Sequence, residues 1–151
     1  MKRIFLIILV FLFSVACLST CGGPQRQAFE QNRSLWESQA IQHYRFNLEI
    51  SCNCPWYDMM PLTIEVQNGE IVSMAASNGG DITPYLDTFQ PHGTIERLFD
   101  KVDSAISSHP YKLEVQYDAT YGFPISIGII QYRMITDSGT GYYLTDFEIL
   151  P

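Results

Sequence analysis

His43-Tyr44-Arg45-Phe46-Asn47-Leu48-Glu49-Ile50-Ser51-Cys52-Asn53-Cys54 is the stretch on which the fold turns. Tyr44, Phe46, Leu48, Ile50, Cys52 and Cys54 alternate with Arg45, Asn47, Glu49, Ser51 and Asn53. Successive side chains of an extended chain point to opposite faces, so this is a strand with one buried and one wet face. Half-buried strands belong to antiparallel sheets packed on one side; strands covered on both sides read as unbroken apolar runs.

The chain downstream repeats the signal. Leu62, Ile64 and Val66 alternate, Asn68-Gly69 follows, and Glu70 to Met74 is a third extended run. Asn-Gly between two such runs predicts a two-residue hairpin, because both turn residues must accept positive φ. Asp81 to Gly93 contains Pro84 and Pro91, has little periodicity and reads as an ordered connection. Thr94 is an N-cap for a helix with Ile95, Leu98, Phe99, Val102, Ala105 and Ile106 on one face, closed by Pro110. Leu113, Val115 and Tyr117 mark a fourth strand and Asp118 to Pro124 a turn. Ile125 to Ile135 and Tyr142 to Leu150 read as the last two strands, with 137–141 as the loop between them. Upstream, Phe29, Trp36 and Ala40 share one face of a helix from about Ala28 to Gln42. The order α-β-β-β-α-β-β-β predicts an α+β domain over 28–151: an antiparallel sheet with two helices on one face.

The 151 residues suit one domain, and 46% hydrophobic content excludes a disordered chain. The chain begins with Lys2-Arg3, an apolar run from Ile4 to Phe13, and then small residues. That run is too short to span a bilayer and has the layout of a secretory signal peptide over 1–21. A Cys directly after it resembles the lipobox of bacterial lipoproteins, in which the Cys is lipidated. Cys17 follows Ala16, with Ser14 where Leu is usual; the alternative, Cys21, has Leu18 in place but Thr20 beside it. Residues 22–27 read as a flexible tether. Without Lys2 and Arg3, seven basic residues face sixteen acidic ones. Such a charge repels phosphate backbones and argues against nucleic acid as a partner.

A set of blocks then identifies a family. Trp36, Ile41 and Tyr44 lead to Cys52-x-Cys54-Pro55; Ile64-x-Val66-x-Asn68-Gly69-x-Ile71-Val72 and Thr94-Ile95-x-x-Leu98-Phe99 follow. The last block is Val115-x-Tyr117-Asp118, then Tyr121-Gly122-Phe123-Pro124-x-Ser126-Ile127. In order and spacing these resemble the bacterial domain-of-unknown-function family 6174. The resemblance implies a secreted or lipid-anchored protein and no particular chemistry. The acidic cluster that the family tends to carry after the last block is reduced here to Asp137 within 132–137.

The residues leave the chemistry open. Cys52 and Cys54 lie about 6.6 Å apart on an ideal strand, near the upper limit for a disulfide. They read as a disulfide formed across a local bend, as two buried thiols, or, with Met59 and Met60, as soft ligands for Cu(I). Neither His43, His92 and His109 nor the acids Asp81 and Asp87 have metal-site spacing, so no metal or cofactor is expected. No Gly-x-Ser-x-Gly is present. Asp118 and Gly122 read as turn residues. Trp56, Tyr57, Met59 and Met60, between Pro55 and Pro61, form either a partner contact or a lid folded onto the domain. The expectation is an envelope lipoprotein, membrane-held through its N-terminal lipid, that works by binding, with an envelope protein as the macromolecular partner. The alternatives are a secreted enzyme and a copper- or redox-handling protein using Cys52 and Cys54.

Overall fold

The computed structural model describes residues 23–134 and 139–151. The expected signal peptide over 1–21, with the candidate lipidation sites Cys17 and Cys21, lies outside the described residues. Helix α1 (Pro24–Gln39) leads into β1 (His43–Ser51), β2 (Leu62–Gln67) and β3 (Glu70–Ala76). A short α2 (Leu86–Phe89) and the long α3 (Ile95–Ser108) follow, then β4 (Lys112–Tyr117), β5 (Pro124–Ile130) and β6 (Gly139–Ile149). The six strands form one sheet in the order β3-β2-β1-β6-β5-β4, and every neighbouring pair is antiparallel. The α+β expectation holds, with α2 as a third, short helix.

The first and last strands of the chain lie at the centre of the sheet, with Leu48 opposite Leu144 and Ile50 opposite Tyr142. Tyr44, Phe46, Leu48 and Ile50 are buried on one face, as their alternation requires. α1 and α3 cover that face with Phe29 and Trp36 from one helix and Leu98, Phe99 and Val102 from the other. Phe29 meets Phe99 edge-on at 6.0 Å between centroids, and Trp36 meets Tyr44 at 5.5 Å. The opposite face carries polar ladders. Arg45 pairs with Glu148 at 2.7 Å, and Asn47 joins Thr63 and Asp146, each at 2.8 Å.

Local signals hold where local chemistry decides. Asn68 and Gly69 both take positive φ, +53° and +79°, and turn β2 into β3 in two residues. The Thr94 hydroxyl accepts the Arg97 N–H at 3.2 Å and caps α3.

Element bounds are corrected where packing decides. α1 starts at Pro24, so the part of the expected tether from Pro24 to Gln27 is helix. Proline fits the first helical position, where its missing N–H costs nothing, and Gln27 N–H already reaches the Gly23 carbonyl at 3.1 Å. The expected run of β1 to Cys54 stops at Ser51. The connection from Asp81 to Gly93 winds into short helical turns around a fully buried Phe89. β5 ends at Ile130, short of Ile135. Gly139-Thr140-Gly141, expected as loop, opens β6 because β5 offers it a ladder, Ile130 opposite Gly139 and Gly128 opposite Gly141. Glycine's weak strand preference conceals this in sequence.

Alternating strand direction gives the domain two distinct ends. β1, β3 and β5 finish, and β2, β4 and β6 begin, at the end where α1 starts. Gln25, one residue into α1, donates its side-chain amide to the Leu113 carbonyl of β4 at 3.0 Å.

Candidate functional site

The two long helices do not close over the β4 edge. Between them and the sheet lies a groove of about 470 Å³. Gln25 and Ala28 of α1, Val102 and Ile106 of α3, and Leu113, Val115 and Tyr117 of β4 line its inner side. It wraps over the strand edge to Glu114, Gln116 and Ser126 on the other face. β4 is the last strand of the sheet, so one side of its backbone has no strand partner. The Tyr117 ring stacks on Phe99 at 6.4 Å. Its hydroxyl is buried with no hydrogen-bond partner among the described residues. Burial pushes the Tyr117 pKa up to about 12, so the group is a neutral hydrogen-bond donor or acceptor at ordinary pH. A groove with an apolar inner wall, one unsatisfied hydroxyl and a polar outer rim of Glu114, Gln116 and Ser126 has features of a small-ligand site.

A second cavity of about 320 Å³ lies between α3 and the ends of β5 and β6. Lys101, Ser104, Ser108, Thr140 and Tyr142 line it. The Lys101 ammonium stands 5.6 Å from the Tyr142 ring centroid, and His92 packs on the same ring at 4.9 Å. Burial, and then the Lys101 charge, hold the His92 pKa down at about 4. An unfolded chain takes up that proton near about pH 6.5. The stability contributed by neutral His92 is therefore complete above about pH 6.5 and drains as pH falls towards about 4. Thermal melts across that window should show a fall in Tm that His92→Phe makes shallower.

The residues singled out in the sequence fall into separate places. Cys52 and Cys54 are joined as a disulfide, with Cα atoms 5.2 Å apart, closer than an ideal strand allows because the chain bends after Ser51. As a disulfide, neither sulfur is a thiolate ligand for copper. The three histidines sit apart. His43 binds Glu65 through Nε2 and the Pro151 carbonyl through Nδ1, both at 2.9 Å, and these bonds raise its pKa. His109 Nδ1 meets the Ser107 carbonyl at 2.9 Å. Among the described residues no group of three or more His, Cys, Asp or Glu converges to hold a metal.

Trp56, Met59 and Met60 pack against the core, and of the four candidate contact residues only Tyr57 is largely exposed. Trp56 meets Tyr85 at 5.6 Å and Phe89 at 5.9 Å. Asn78 donates to the Asp58 carbonyl at 2.7 Å and ties the loop down. Trp56→Ala should therefore cost about 2–3 kcal/mol in denaturant unfolding, less than the loss of a fully enclosed aromatic. An unchanged midpoint would show that the ring contributes no closure.

Several blocks that mark the chain's resemblance meet in one structural clasp. Trp36 Nε1 donates to Glu96 Oε1 at 3.0 Å, and the Tyr44 hydroxyl donates to Oε2 at 3.0 Å. The same hydroxyl accepts the Ile95 N–H at 3.1 Å. Asp118 Oδ1 accepts from the N–H groups of Thr120 and Tyr121 at 2.8 and 2.7 Å, the expected turn role. The sequence did not reveal the β4 groove. Tyr117 reads there as one more inward strand residue, and only the gap between helices 77 residues apart along the chain, as Arg26 and its partner Asp103 are, makes it a wall.

The profile of a family of unknown function, DUF6174, matches residues 28–149. No curated protein and no solved structure is a significant match.

Proposed function

This chain belongs to the family of unknown function DUF6174, and from that premise we propose that it is a binding module of the cell envelope, anchored through a lipid on Cys17 or, in the alternative, Cys21. The observation that carries the binding role is the β4 groove with its unsatisfied Tyr117 hydroxyl. A buried polar group without a partner costs about 1–3 kcal/mol, and a ligand that pairs with it recovers that energy on binding. The matching ligand is amphipathic, with an apolar part to fill the space between Val102, Ile106 and Val115, a hydrogen-bonding group for Tyr117 and a polar part towards Gln25 and Gln116. The basic start and short apolar run that precede Cys17 and Cys21 support the anchor.

Tyr117→Phe tests the groove. Removing an unpaired hydroxyl leaves stability unchanged or raises it by about 1 kcal/mol. Protein purified from its own envelope and extracted into organic solvent should yield a small molecule by mass spectrometry, and the Phe variant should yield less. Equal recovery from both proteins, or none from either, would reject the groove as the site.

A further inference from the structure

We infer that the end of the domain where α1 begins lies flat on a phospholipid bilayer, and that Tyr57, Tyr111, Tyr132 and Met134 are its contact points. The inference rests on the lipid anchor proposed above and says what that anchor does to the folded domain.

Cys17 is seven residues from Pro24, and Cys21 only three. Because α1 is already helical at Pro24, the connection from lipid to domain spans at most about 25 Å from Cys17 or about 11 Å from Cys21. A domain on so short a leash stays at the membrane surface, with the start of α1 nearest to it. Residues read as a flexible spacer are in fact bolted down. Gln25 holds Leu113, and Arg26 is paired with Asp103 of α3.

That same end holds four of the large exposed apolar side chains, whereas Val72 and Ile149 lie at the other end. Seven large ones are exposed among the described residues, and Tyr57, Tyr111, Tyr132 and Met134 are each more than half exposed there. Met134, at 90%, is the most exposed of all. The placement follows from the register. Tyr111 precedes β4, two residues from the Leu113 held by Gln25, and its N–H bonds the Gln131 carbonyl at 3.4 Å. Tyr132 and Met134 follow β5, whose last residue, Ile130, pairs with both Lys112 and Gly139. Tyr57 lies in the loop after β1, and Ser51 at the end of β1 pairs with Gly141.

The chemistry suits an interface between lipid and water. Tyrosine places its ring among acyl chains and its hydroxyl among headgroups. Arg133 stands over Tyr111, 5.8 Å from the ring centroid, and Lys112, which also pairs with Glu114 at 2.9 Å, is adjacent, so Arg133 is the main cation beside the apolar points at headgroup level. Asp58, exposed beside Tyr57, keeps that corner shallow. A protein partner would also accept tyrosines, but nothing ties such a partner to the end where the lipid attaches.

The test uses the full-length lipidated chain in vesicles of phosphatidylethanolamine and phosphatidylglycerol doped with a photoactivatable phospholipid. Flotation and the intact mass report the anchor, and cross-linked peptides report the footprint. Cross-links should concentrate on 55–59, 109–114 and 129–134 and be absent from the β2–β3 hairpin at the far end. Tyr111→Ser combined with Met134→Asp, both at exposed positions, should lose those cross-links and still float. A chain that floats but is labelled evenly, or at the hairpin, overturns the footprint alone. A chain that carries no lipid and stays in solution overturns the anchor and the footprint together.

Discussion

Trp36→Ala is expected to lower the unfolding free energy by about 4–5 kcal/mol, at the upper end for a buried aromatic. Trp36 is 4% exposed and stands edge-on to three rings, Tyr44, Phe123 and Phe147, at 5.5–5.9 Å. Through Nε1 it also holds one oxygen of Glu96, whose other oxygen takes the Tyr44 hydroxyl. One side chain thus joins α1 to β1, β6 and the first turn of α3. The cavity left by an indole in the middle of these elements cannot collapse without moving a helix. Glu96→Gln separates the polar share from the packing. An amide offers one oxygen for two donors, so one of them loses its partner, at a cost of about 1–3 kcal/mol. Urea unfolding of both variants checks the ranking. A Trp36→Ala cost no larger than that of Glu96→Gln would show that the ring packing contributes little.

Gly122→Ala is expected to cost about 3–4 kcal/mol, a large effect for one added methyl group. Gly122 has φ +83°, in the left-handed region that disfavours residues with a Cβ. Its space is also taken. A Cβ there would lie 2.5 Å from the Asn32 carbonyl oxygen and 3.0 Å from the Leu35 Cβ. The first of these atoms is α1 backbone, which cannot swing aside as a side-chain tip would. Relief requires the β4–β5 turn to lift off α1, and Phe123, packed 4.6 Å from Phe147, would lift with it. Gly69→Ala in the β2–β3 turn is the control. It carries the same sign of φ, +79°, with nothing within 4 Å of the added atom. It should cost only the backbone penalty, about 1 kcal/mol. Equal losses for the two variants would mean that the contact with α1 plays no part.

The β1 alternation, the Asn68-Gly69 turn and the Thr94 cap were legible in the sequence because each is decided within a few residues. A strand face is set by period two, a hairpin turn by residues that tolerate positive φ, and a helix start by one hydroxyl that reaches an N–H three residues on. Those signals were enough for an antiparallel sheet with two long helices on one face. Asp118 and Gly122 as turn residues belong to the same class. Tertiary structure decided the rest. Pro24 to Gln27 reads as spacer until Leu113 and Asp103, at distances of 88 and 77 residues, give Gln25 and Arg26 something to hold. Gly139-Thr140-Gly141 reads as loop until β5 supplies its ladder. Glu96 reads as one polar residue on an amphipathic helix until Trp36 and Tyr44, 60 and 52 residues away, bring it their donors. The β4 groove is made by what the helices fail to cover, a property of their spacing that no window of sequence contains. Local dihedral preferences and periodicity act along the chain and can be read there. Long-range pairing and the gaps it leaves depend on which surfaces meet, and that is settled only when the chain closes β6 against β1.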